Sequence, residues 1–163
     1  MIRRVLFVCT GNIFRSLAAE VALRRALAAR DDIQVSSAGT DDYPHTVRIQ
    51  IRDYLHAKGF DVTQHRRRTL TRALLDESDL VVAMSTEHRV FLRERYQLEV
   101  PLFTEACGGP AEPLHDIEAV IPDYLTNVHA VEAHVRQTID RIIELAPRMA
   151  SSIDALLQRW STR

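Results

Sequence analysis

Residues 5–16 read VLFVCTGNIFRS, and this stretch constrains the fold more than any other. Residues 5–8 form a short continuous apolar run of β-branched and aromatic character, bounded by a turn, which predicts a buried strand. Gly11 and Asn12 supply the turn, because glycine is free in φ and asparagine tolerates positive φ. From Ser16 the period changes. Leu17, Val21, Leu23 and Leu27 recur at helical spacing, with Ser16 placed to cap a helix and Glu20 to suit its dipole. Strand, tight loop and helix in that order open a βαβ unit, hence a parallel sheet.

The rest of the chain continues the alternation. Residues 33–37, 80–84 and 100–103 predict three more strands. Val47, Ile51 and Leu55 predict a helix closed by Lys58-Gly59, and residues 86–96 predict another. Residues 105–122 hold Gly108, Gly109 and three prolines and read as a long loop, a place where function concentrates. A helix over residues 127–145 follows, interrupted by Pro147. The expected architecture is α/β: a four-stranded parallel sheet with helices on both faces. One domain covers residues 1–147, with 148–163 as a helical extension of it; 163 residues suit a single core.

Composition excludes several classes. Twenty-one basic and twenty-two acidic side chains give a formal charge of -1, which suggests no nucleic-acid partner. The one basic cluster, Arg66-Arg67-Arg68, reads as a solvated face. Two cysteines cannot build a disulfide framework, so a reducing, cytoplasmic setting is expected. The histidines form no H-E-x-x-H pattern, and neither a metal nor a cofactor is expected. The alanine-rich stretch 17–29 is broken by Glu20, Arg24 and Arg25, so no membrane span is expected. A monomer is expected.

Cys9 lies at the predicted carboxyl end of the first strand, where ligands bind in open α/β sheets. The loop Thr10, Gly11, Asn12, Ile13, Phe14 carries backbone N–H groups that can form an anion cradle against the helix start. Arg15 offers a planar fork to two phosphate oxygens, and the Ser16 hydroxyl reaches back toward the sulfur. These surroundings favour a thiolate nucleophile beneath a phosphoryl group. Cys9 as a buried apolar filler is the plainer alternative.

With these motifs the chain resembles the low-molecular-weight protein tyrosine phosphatases. The likeness rests on VLFVCTGNIFRS with Ala18-Ala19-Glu20, on Ser36-Ser37-Ala38-Gly39-Thr40, on His65-x-x-Arg68-x-Leu70 and on residues 79–84. The resemblance implies a two-step hydrolysis of phosphotyrosine in proteins, with Cys9 as nucleophile and Arg15 as phosphate clamp. The partners it implies are a tyrosine-phosphorylated protein and a kinase. Asn12, Ser16, Ser37 and His65 match its loop-supporting network, and Tyr43 matches an aromatic position at the substrate cleft. The general acid of the family sits in an Asp-Pro pair. Here Asp123 is followed by Tyr124, so Asp123 is the expected acid and Asp116 its competitor. Phe14 stands where many relatives carry a second cysteine, and Leu17 replaces a usual proline. Ile13 stands where phosphoarginine-specific relatives tend to carry threonine, which favours phosphotyrosine. Two other functions compete: a catalytically weak phosphate-binding module, and an arsenate reductase, which would need more cysteines than Cys107 supplies.

Overall fold

A computed structural model describes residues 1–161. Its elements run β1 (Arg3–Cys9), α1 (Arg15–Ala26), β2 (Ile33–Gly39), α2 (Ile49–Ala57), α3 (Arg72–Asp76), β3 (Leu80–Ala83), α4 (Thr86–Tyr96), α5 (Phe103–Ala106), α6 (Ile117–Val120), α7 (Val128–Ser151) and α8 (Ile153–Arg159). The sheet is parallel, in the order β2-β1-β3. β1 is central, and Val5, Leu6, Phe7 and Val8 are each fully buried. Burial of such a side chain stabilises the fold by about 1.5–3 kcal/mol.

The strand period divides the core. Val5, Phe7 and Cys9 face one cluster, packed with Leu17 and Leu23 of α1 and Val135, Ile139 and Ile142 of α7. Leu6 and Val8 face the other, with Leu75 of α3 and Leu92 of α4. Helices therefore cover both faces. The carboxyl ends of β1 and β2 lie side by side, Cys9 opposite Gly39, and this places the 9–16 loop against the segment after β2.

Three strands form where four were expected. The segment 100–103 makes only an isolated bridge, Ala83 with Leu102. Pro101 has no N–H to give a ladder, although its carbonyl accepts from Ala83 N–H at 3.0 Å. The Leu102 N–H donates instead to the Glu105 carboxylate at 2.8 Å, which starts α5. The expected long loop thus contains α5 and α6. Pro147 also does not stop α7, which runs through it to Ser151. Met149, Ile153 and Leu157 beyond it are buried in the same cluster as Val135. No helix among the described residues is long and apolar enough to cross a membrane.

Candidate active site

The loop after β1 is organised by its carbonyls. Thr40 N–H donates to Cys9 O at 2.9 Å and Asp41 N–H to Thr10 O at 3.2 Å. Arg67 Nε donates to Gly11 O at 3.0 Å and His65 Nε2 to Asn12 O at 2.8 Å. Four consecutive carbonyls are thus held from outside. In a trans peptide the next N–H points the opposite way, so the N–H groups of Thr10, Gly11, Asn12 and Ile13 turn inward. Among the described residues, neither these four nor the Phe14 N–H donates to another backbone group. A run of free donors in front of a helix start is an anion cradle, and the α1 dipole adds to it.

Asn12 makes the turn, at φ 57°, and is fully buried. Its Oδ1 accepts from Arg68 N–H at 3.0 Å, which fixes the amide orientation. Its Nδ2 then donates to Ser37 Oγ at 2.7 Å and to Ser16 Oγ at 3.0 Å. The Ser37 hydroxyl donates in turn to the Glu20 carboxylate. Ser16 Oγ stands 2.9 Å from Cys9 Sγ, a hydrogen bond in which either group can be the donor. A chain of hydrogen bonds therefore runs from buried Glu20 through Ser37, Asn12 and Ser16 to the sulfur. Ser16 is not the helix cap: Phe14 is, without a side-chain bond.

The Asn12, Ser16, Ser37 and His65 cluster stands together as the sequence suggests. Four further contributors do not show locally. Glu20 terminates the relay and pairs with Arg24 at 2.6 Å. Arg68 Nε holds Ser37 O at 2.9 Å. Arg67 binds the loop itself, so the arginine run is only partly a solvated face. His88 Nε2 meets Thr10 Oγ1 at 2.9 Å from α4.

Arg15 is almost fully buried. Its Nη1 donates to Leu114 O at 2.9 Å and lies 3.4 Å from Glu87 Oε1, and its Nη2 donates to Asp116 Oδ2 at 3.0 Å. Among the described residues its Nε–H has no partner, so one edge of the fork is open. Burial alone would raise the Glu87 carboxyl, but the Ser85 hydroxyl, its own backbone amide and the His88 and Arg15 charges together hold it below the usual range.

A cavity of about 120 Å³ joins these parts. Cys9, Thr10, Gly11, Ile13, Phe14 and Arg15 form its base, and Asp41, His45, Arg48, Asp116 and Glu118 stand around them. Besides the supporting network of Asn12, Ser16, Ser37 and His65, two residues expected to face the substrate, Tyr43 and Asp123, lie outside this lining. Tyr43 is 66% exposed and packs its ring on His45, 5.0 Å between centroids. Asp123 is exposed, and its turn closes on itself: Thr126 N–H and Asn127 N–H both donate to Asp123 O at 2.9 Å, and Asn127 Nδ2 binds Asp123 Oδ2 at 3.0 Å. With no proline after it, the Asp123 segment forms a tight turn leading into α7. Asp116, at the start of α6, is the aspartate of that region that reaches the cavity.

Fold and site define a class: parallel α/β proteins that set a cysteine and an arginine, with five residues between them, around a loop of inward-turned amides after the first strand. Residues 4–159 match the family described as low molecular weight phosphotyrosine protein phosphatase, and the chain belongs to that family. It is 31% identical over 161 residues to a protein-arginine-phosphatase of Bacillus subtilis, covering 91% of this chain and 95% of that one. It is 30% identical over 96 residues to EpsP of Ralstonia solanacearum, named a probable low molecular weight protein-tyrosine-phosphatase. That match spans 59% of this chain and 65% of EpsP. Among solved structures, a YwlE mutant from Bacillus subtilis superposes with a TM-score of 0.78 at 24% identity, covering 93% of this chain and 99% of that one.

Proposed function

We propose that the chain removes phosphoryl groups from phosphorylated proteins through a phosphocysteine on Cys9, with phosphotyrosine as the substrate side chain. The observation that carries this reading is the set of inward-turned amides of residues 10–13 around Cys9, which among the described residues donate to no other backbone group. They would hold the equatorial phosphoryl oxygens and gain strength as charge develops there. Cys9 Sγ attacks phosphorus, an S–P bond forms, and the P–O bond to the phenolic oxygen breaks. Water then attacks phosphorus and releases Sγ and inorganic phosphate. The scheme calls on no metal or cofactor.

Arg15 would turn its open Nε–H edge to the phosphoryl group and exchange the Asp116 carboxylate for a phosphoryl oxygen. Asp116, released from Arg15, takes the place of proton donor to the leaving oxygen. Its position in the cavity lining supports this assignment over Asp123. Ile13 in the cavity, and the Tyr43–His45 ring pair beside it, support an aryl substrate. One observation favours a second substrate. The carboxylates of Asp41, Asp116 and Glu118 surround the cavity and would suit a guanidinium, as in phosphoarginine, the side chain implied by the name of the Bacillus subtilis relative.

Steady-state hydrolysis of an aryl phosphate and of phosphoarginine, with chelator present, tests the reading. The aryl phosphate is cleaved, and Cys9→Ser abolishes the reaction. Asp116→Asn lowers turnover of an ester with a poor leaving group by about 10²–10⁴, whereas Asp123→Asn changes it less than about twofold. The reverse order would return the acid role to Asp123. A clear preference for phosphoarginine would overturn the tyrosine assignment, and phosphate binding without cleavage of either ester would reduce the chain to a binding module.

A further inference from the structure

We infer that Arg67 is a positioning residue for phosphate capture, one that aims the Asn12 amide and ties the loop to the adjacent cavity wall; this rests on the reading of the 9–15 loop as a phosphate site. The Arg67 side chain is 15% exposed, unlike the fully solvated position its neighbours in sequence suggest. It spans two backbone carbonyls: Nε donates to Gly11 O at 3.0 Å and Nη2 to Asp41 O at 2.6 Å.

The first bond sets the Gly11–Asn12 peptide. With Gly11 O drawn out, the Asn12 N–H faces the site. This peptide has the greatest need of an outside hold. Gly11 has no side chain to restrain rotation, and Asn12 occupies the left-handed region at φ 57°. The second bond anchors Asp41, whose own N–H holds Thr10 O and whose carboxylate holds His45 Nε2 at 2.9 Å. Arg67 therefore controls two of the four outward carbonyls, one directly and one through Asp41. It also steadies His45, a side chain in the cavity lining.

Gly39 shows how closely this bridge is built. A Cβ there would stand 2.5 Å from Thr10 O and 3.2 Å from Arg67 Nη2. The guanidinium fits because residue 39 carries no side chain. A lysine has one compact ammonium and cannot reproduce a rigid fork across two carbonyls. Arg66 is the natural control: it is exposed and bonds only to Thr63 O and His65 O.

The experiment measures inorganic phosphate binding by titration calorimetry, and phosphate inhibition of aryl phosphate hydrolysis, in wild type, Arg67→Met, Arg67→Lys and Arg66→Met. Arg67→Met weakens phosphate binding and raises KM about tenfold, Arg67→Lys recovers part of the loss, and Arg66→Met matches wild type. A purely structural role would lower kcat through inactive protein and leave the phosphate constants unchanged, which overturns the inference. If Arg67→Met does not fold, the lysine variant decides: phosphate binding as tight as wild type overturns it. Calorimetry needs no turnover, so an inactive wild type would sink the phosphatase reading and still leave the role of Arg67 decided by phosphate affinity.

Discussion

His88 shows how much the site depends on single atoms. It is buried below the loop, with Nε2 on Thr10 Oγ1 and no partner for Nδ1. Burial first, and then the Arg15 charge, push its imidazole down from 6.5 to about 4; Glu87 and Asp116 oppose them and lose. The native protein therefore holds His88 neutral where an unfolded chain would protonate it. Between pH 6.5 and about 4 the unfolded state binds more protons, so stability falls as pH falls through that window. The gap is worth on the order of 3 kcal/mol. We expect wild type to lose that much more stability than His88→Asn when urea unfolding is compared at neutral pH and at the acid end of the window. Parallel losses in the two proteins would show that His88 contributes no pH dependence. Nothing near His88 in sequence announces this role, because its partner Thr10 is 78 positions away. The same holds for Arg67, 56 positions from Gly11, and for Asp116, 101 positions from Arg15. Cys9, Asn12, Arg15 and Ser16 were legible because one loop holds them all, and local spacing alone fixes their juxtaposition.

At the scale of elements, two of the departures from the expected architecture involve proline. Pro101 keeps the 100–103 segment from laddering onto β3, an outcome its missing N–H explains and a pattern of apolar residues does not reveal. Pro147 has the opposite history. Its missing N–H costs one helical bond, yet α7 continues because residues on both sides face the core: Ile142 and Ala146 before it, Met149 and Ile153 after. Burial of these side chains outweighs the local penalty, so tertiary packing overrides the break that sequence predicts. The penalty is still present, and Pro147 itself is exposed, so replacing its ring removes little buried area. Pro147→Ala should therefore stabilise the protein by about 1–2 kcal/mol, less than the full helix-interior cost because the freer unfolded chain offsets part of it. Chemical denaturation checks this, and an unchanged or lower midpoint would mean that the helix is distorted to suit proline.

Across the whole molecule, the two cysteines occupy unrelated environments. Cys9 lines the cavity at the carboxyl end of the sheet and is hydrogen-bonded to the Ser16 hydroxyl. Cys107 follows α5 and is buried against the α7 backbone at Met149; burial pushes its thiol up to about 12. At neutral pH almost none of it is thiolate, and the thiolate is the form that attacks an oxidised sulfur. Phe14, packed edge-on against the ring of His134, stands in the loop beside the nucleophile and offers no thiol there. The one other cysteine that oxidised Cys9 could meet in this chain is Cys107, which is buried and protonated. Under peroxide, Cys9 should pass from sulfenic to sulfinic acid without an intramolecular disulfide, and Cys107→Ser should inactivate at the wild-type rate. Mass spectrometry of unreduced peptides reads the outcome directly. A Cys9–Cys107 linkage would overturn this expectation and show that Cys107 reacts despite its burial.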